Sequence, residues 1–117
     1  MRVPLPTGAV QAVRTTVGML VDVHYDTLER VTRRRRLTAA MMRLAIEQYG
    51  RTLVRPPAEA YHGLDGIEVE HRGKHAFAVE FPLWTVEEGQ SDLELDLLIV
   101  EVLTGVYAPE LNDIRVF

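Results

Sequence analysis

The stretch Phe77–Val102, FAVEFPLWTVEEGQSDLELDLLIVEV, constrains this chain more than any other segment. Phe77, Val79, Phe81 and Leu83 alternate with Ala78, Glu80, Pro82 and Trp84; Leu93, Leu95 and Leu97 alternate with Asp92, Glu94 and Asp96. A period of two is what a strand with one buried face requires, because successive side chains point to opposite sides. The segment Thr85–Gln90 between the two runs carries Glu87, Glu88 and Gly89 and reads as a hairpin loop. Antiparallel pairing then buries the Phe and Leu side chains together. It also sets Glu80 opposite or diagonal to Glu94 and Asp96 on the outer face. Like charges facing one another across strands cost about 0.2–1 kcal/mol a pair, so this acidic face needs a cation from elsewhere.

Before this hairpin the periodicity is helical. Thr7 is the expected N-cap of a first helix over residues 8–24, with Val10, Val13, Val17, Leu20, Val21 and His24 on one stripe. Asp26 and Glu29 have capping-box spacing for a short second helix carrying Leu28 and Val31. Thr38 caps a third over residues 39–49, with Met42, Ala45, Ile46 and Tyr49 inward and Gly50 as its C′ residue. Pro56 and Pro57 hold the following connection extended. A strand over Ile67–His71 is expected with Ile67 and Val69 inward and Glu68 and Glu70 outward, then a turn at Arg72-Gly73-Lys74. Thr104-Gly105 turns the chain into a last strand over Val106–Phe117, where Pro109 indicates an edge or a bulge.

Parity slips twice. Val100 and Val102 are apolar on the parity opposite to Leu93–Ile99, with Glu101 on the inward parity, and Leu111 lies three residues from Ile114. β-Bulges on neighbouring strands explain this; burial of Leu98–Val102 on both faces, one against a second subunit, is the alternative.

The expected fold class is therefore α+β in one domain, residues 1–117: three N-terminal helices packed on a curved four-stranded antiparallel meander. That order resembles a cystatin-like or NTF2-like half-cone, with the first helix in the concave face. At YGRTLVRPP, FPLWTVEEGQSDLELDL and NDIRVF the chain also resembles a family of small bacterial proteins known only as a domain of unknown function. The resemblance runs from about Val10 to the end. It implies no activity, and no catalytic residue follows from it.

The net charge of −4 hides a division. Residues 1–60 hold 10 Arg and 5 acids, a balance of +5, whereas residues 61–117 hold 3 basic residues and 12 acids, a balance of −9. Such asymmetry marks an interaction surface or two halves that neutralise each other on folding. The chain has no cysteine, which excludes disulfides, a thiol nucleophile and Cys-type zinc sites. The absence of a long apolar run or a signal-type leader leads us to expect a cytoplasmic protein.

Candidate sites divide by chemistry. His71 and His75 flank a turn and would suit a metal only with a carboxylate, and Glu68 and Glu70 have the opposite parity, so no metal site is expected. Arg33–Arg36 is a phosphate-binding run in composition, but no aromatic residues are interleaved for base stacking, and docking onto acids of the same fold accounts for it. Tyr61, His62 and Asp65, with Tyr49 and His24, would line a cone pocket. Trp84 with Glu87, Glu88 and Asp92 at the hairpin tip has the composition of an interface anchor with an acidic rim. The resulting expectation is a non-enzymatic, cofactor-free binding protein of inhibitor or immunity type. Its partner-binding set is Glu80, Trp84, Glu87, Glu88, Asp92, Glu94 and Asp96, facing a basic macromolecule, and homodimerisation is a further expectation. The alternative is an NTF2-like small-molecule-binding protein or enzyme using the concave face.

Overall fold

The computed structural model describes residues 1–32 and 36–116. The two alternating runs form β4 (Lys74–Thr85) and β5 (Gly89–Leu103), antiparallel, with Phe77 opposite Ile99, Val79 opposite Leu97 and Phe81 opposite Leu95. β3 (Asp65–His71) flanks β4, and β6 (Val106–Val116) flanks β5. This is the expected four-strand meander. Two short strands enlarge it to six: β1 (Arg2–Pro4) pairs with β3, and β2 (Leu53–Val54) pairs with Trp84 and Thr85 of β4. Neither short strand is long enough to show a period. β3 ends at Ala78 of β4 and β2 begins at Trp84, so Pro82 falls in the gap where no N–H is needed on that edge.

All three helices lie on one face of the sheet: α1 (Thr7–Val21), α2 (Tyr25–Val31) and α3 (Ala39–Tyr49). α1 buries Ala9, Val13, Thr16, Val17 and Leu20 in one core with Phe77, Val79, Phe81, Leu83, Leu95, Leu97 and Ile99. Tyr61, from a single 3₁₀ turn (Ala58–Tyr61), stacks on Phe81 at 5.0 Å, and Arg14 covers its other face.

The helix ends follow the sequence in part. Thr38 Oγ1 accepts from the Met41 N–H at 3.2 Å, and Gly50 closes α3 at φ 74°. Thr7 is not the N-cap of α1: Pro6 occupies that position with no side-chain cap. Glu29 does not close a capping box either; its carboxylate accepts from the Ala39 N–H at 2.8 Å and so caps α3. α1 ends earlier than expected because Val23 turns left-handed at φ 62°, and the His24 N–H returns to the Met19 carbonyl.

Both parity slips are bulges. Asp96 faces Asp113 but Leu97 faces Leu111, leaving Asn112 extra on β6, and Glu101 faces Tyr107 but Leu103 faces Val106, leaving Val102 extra on β5. A third lies between Pro82 and Trp84, and the buried Ser91 hydroxyl bridges it by donating to the Leu83 carbonyl (2.7 Å) and accepting from the Leu93 N–H (3.1 Å).

One strand has its faces reversed from expectation. The β3–β4 turn holds two residues, Arg72 (φ 53°) and Gly73 (φ 77°), so His71 pairs with Lys74 and His75 with Glu70. This register sets Ile67 and Val69 beside Ala78 and Ala76 on the outer face, and Glu68 and Glu70 beside Phe77 and His75 on the helix side. A three-residue turn would have given the opposite parity.

Candidate functional site

The helix side of the sheet is filled: Val79, Leu95, Leu97 and Ile99 are fully buried there. Among the described residues no helix packs across the outer face, although Val31 and Thr32 at the end of α2 reach its Val100 end, and the strand registers divide it by charge. Glu80, Glu94 and Asp96 crowd one end with Asp113, while His71, Arg72 and Lys74 stand at the other; Ala76, Ala78, Leu98 and Val100 lie between.

At the acidic end Glu80 faces Asp96, Pro82 faces Glu94, and β6 adds Asp113 opposite Asp96 and Arg115 opposite Glu94. The Arg115 guanidinium reaches all three partners: Glu80 Oε2 at 3.2 Å, Asp96 Oδ2 at 3.3 Å and Glu94 Oε1 at 3.5 Å. Among the described residues three carboxylates thus contact one cation, and Asp113, opposite Asp96, adds a fourth negative charge beside them. Glu94 is only 7% exposed, and burial raises its pKa first, followed by hydrogen bonding with Glu80 and that residue's charge. Burial also raises Asp96, with Glu80 and Asp113 adding to the effect and Arg115 opposing it. Among the described residues the cation the acidic face requires is therefore Arg115, and it compensates the cluster in part. Arg36 lines a hollow with His71, Arg72 and Glu110 instead, and the Arg33–Arg35 part of the expected internal docking lies outside the described residues. Sequence reasoning missed Arg115 because its register depends on the Asn112 bulge; the alternation of Asp113 and Arg115 in NDIRV is the available signal.

The acids at the hairpin tip do not join this cluster. Glu87 accepts from the Thr52 N–H (2.9 Å) and hydroxyl (3.1 Å), and that backbone hydrogen bond lowers its pKa. Glu88 accepts from the Tyr49 and Thr85 hydroxyls. Glu88 thus ties the hairpin to the last residue of α3 and Glu87 ties it to the segment that follows. Asp92 is exposed, and its N–H donates to the Tyr49 hydroxyl. Trp84 is half-buried between Val54 and Gln90, with the ring edge over Gly89. The seven expected partner-binding residues thus separate into an outer-face cluster (Glu80, Glu94, Asp96) and a tip group engaged within the fold.

The two histidines do not face each other, because the two-residue turn gives them opposite faces. His71 lies outward with Nε2 3.3 Å from Glu110 Oε1. His75 lies inward against Phe77, held by Glu68 and, at 3.5 Å, by Glu101, whose carboxylate also accepts from the Gly105 N–H. The expectation that Glu68 points away from the histidines fails for the same reason. Tyr61, Asp65 and Tyr49 are taken up separately by Phe81, Arg2 and Glu88, while His62 and His24 are exposed, so these residues do not converge. Among the described residues no group of three or more His, Cys, Asp or Glu side chains is arranged to hold a metal ion.

A family model described as Domain of unknown function (DUF7668) matches residues 17–117. The chain belongs to this family. The match begins within α1 and takes in the whole β3–β6 meander, so both ends of the outer face are DUF7668 sequence. No curated protein and no solved structure matches this DUF7668 chain. Among the described residues no helix is long and apolar enough to cross a membrane.

Proposed function

We propose that this protein acts by binding: the acidic end of its outer sheet face docks a basic macromolecular partner, as an inhibitor or immunity-type protein does. The observation that carries this reading is the set Glu80, Glu94 and Asp96, with Asp113 opposite Asp96, which among the described residues share only the guanidinium of Arg115. Clustered carboxylates repel one another, and this repulsion adds to burial, the larger cause, in raising the pKa values of Glu94 and Asp96. A cationic partner side chain entering the cluster relieves that repulsion, and the same field steers the partner in, less so as salt rises. The aliphatic filling of the helix side supports a binding role over a pocketed NTF2-like enzyme, since a cone pocket needs space and inward polar groups there. The half-cone description, a bacterial source and a cytoplasmic location belong to the same proposal.

The test is affinity capture from the source cells at low salt, comparing wild type with Glu80→Gln/Asp96→Asn. A basic protein retained by wild type, lost from the variant and released by salt supports the reading. Equal retention by both refutes it. A second copy of the chain, proposed through Leu98–Val102, is checked by light scattering: twice the 13.3 kDa chain mass supports it and the chain mass alone excludes it. The bulge at Val102 and the burial of Val100 within one chain already account for the apolar pattern that suggested it.

A further inference from the structure

The opposite end of the outer face carries a second feature, independent of the acidic cluster. Two adjoining hollows there, about 260 Å³ and about 380 Å³, share His71, Arg72 and Glu110 as walls. Arg36 completes the more polar hollow and Lys74 the more apolar one, which lies between a sheet floor of Val100, Val102 and Ala108 and, past Pro109, Val31 and Thr32 at the end of α2. Among the described residues Arg36, Arg72 and Lys74 therefore meet Glu110 around a partly apolar recess. The Lys74 amine is held over the floor by the Val102 carbonyl at 3.5 Å.

Two details indicate that these groups are set for a ligand. Arg72 holds a left-handed φ of 53° in a two-residue hairpin turn, a position that Asn, Asp or Gly fills without strain. The turn would form better without arginine, yet it is this arginine that walls both hollows. His71 Nε2 is shielded from water and, although 3.3 Å from Glu110, lacks the alignment for a hydrogen bond.

We infer that this recess binds a small organic anion, a phosphate or carboxylate group with an apolar part, between the Arg72 turn and the Val100–Ala108 floor. Arg72 and Lys74 contact the anionic group, Arg36 supplies further positive field, and Val100 and Val102 receive the apolar portion. The joint size of the hollows is that of a metabolite site rather than a macromolecular groove.

The experiment titrates the full chain at low ionic strength with inorganic phosphate, a phosphomonoester and an aryl carboxylate, with chloride as control, reading backbone amides 71–74 and the His71 imidazole by NMR. Saturable shifts with a phosphate or the carboxylate and none with chloride are expected, and the arm that binds tighter identifies the anionic group. Arg72→Asn suits the turn better, so it should melt at the same or a higher temperature while its affinity falls about tenfold or more, the scale of one charge-assisted hydrogen bond. Lys74→Gln should weaken binding in the same direction. Linear shifts matching chloride, unchanged affinity in Arg72→Asn, or binding confined to a long polyanion such as an oligonucleotide would each overturn the inference.

Discussion

Replacing Arg115 by Met removes the cation from the acidic cluster and keeps most of the aliphatic stem. At about 4 Å and an effective dielectric near 20, one such contact has a gross attraction of about 4 kcal/mol. Solvation and side-chain entropy offset most of it, leaving about 0.2–1 kcal/mol for an exposed pair. The partners are unequal: the Glu80 side chain is 41% exposed, Asp96 24% and Glu94 10%, so Glu94 loses the most. Three contacts of graded exposure make the expected loss about 1–2 kcal/mol at pH 7. The sign of the pH dependence follows from proton binding. Glu94 and Asp96 have pKa values raised above their unfolded values, so in that window the native state holds more protons and stability falls as pH rises. Arg115 opposes both shifts, so its removal raises them further. The deficit of Arg115→Met should therefore be largest near neutrality and shrink on acidification toward about pH 4.5, near the ordinary carboxylate range. Urea denaturation at both pH values measures it. A loss below about 0.3 kcal/mol at pH 7, smaller than exposed pairs usually give, or a loss that grows in acid would refute this account of the cluster.

Other substitutions probe the scaffold. Val23→Gly should raise stability by about 0.5–1 kcal/mol in thermal melts, because a β-branched residue at φ 62° gives way to one at ease there and its side chain is half exposed. Ser91→Ala should cost about 1–3 kcal/mol in urea, since it leaves the Leu83 carbonyl and the Leu93 N–H unpaired in a buried bulge. Leu95→Ala, at a fully buried site of the central strand pair, should cost about 2–5 kcal/mol in the same assay, and a loss under about 0.5 kcal/mol would contradict its place in the core.

Local chemistry alone determined a good part of this protein. The two alternating runs specify β4 and β5, their buried faces and a shared outer face for Glu80, Glu94 and Asp96, because side-chain alternation puts Phe77, Phe81, Leu95 and Leu97 on one side; which acid faces Glu80 the register decided. Thr38 and Gly50 bound α3 for equally local reasons, the need to cap free N–H groups and to turn left-handed. Two of the three bulges too were visible as breaks of parity, while the one between Pro82 and Trp84 was not. Tertiary structure decided the rest. The faces of β3 turned on the length of one tight turn, which brought Ile67 and Val69 outward and separated His71 from His75. The partner of the acidic cluster turned on the extra residue at Asn112, which brought Arg115 opposite Glu94 from 21 residues away. Glu29, Glu87 and Glu88 read as a local cap and an acidic rim, yet each binds a segment distant in sequence. A period of two tells which side chains share a face, but not which face the helices cover, and an exposed charge takes whatever partner the folded chain brings near.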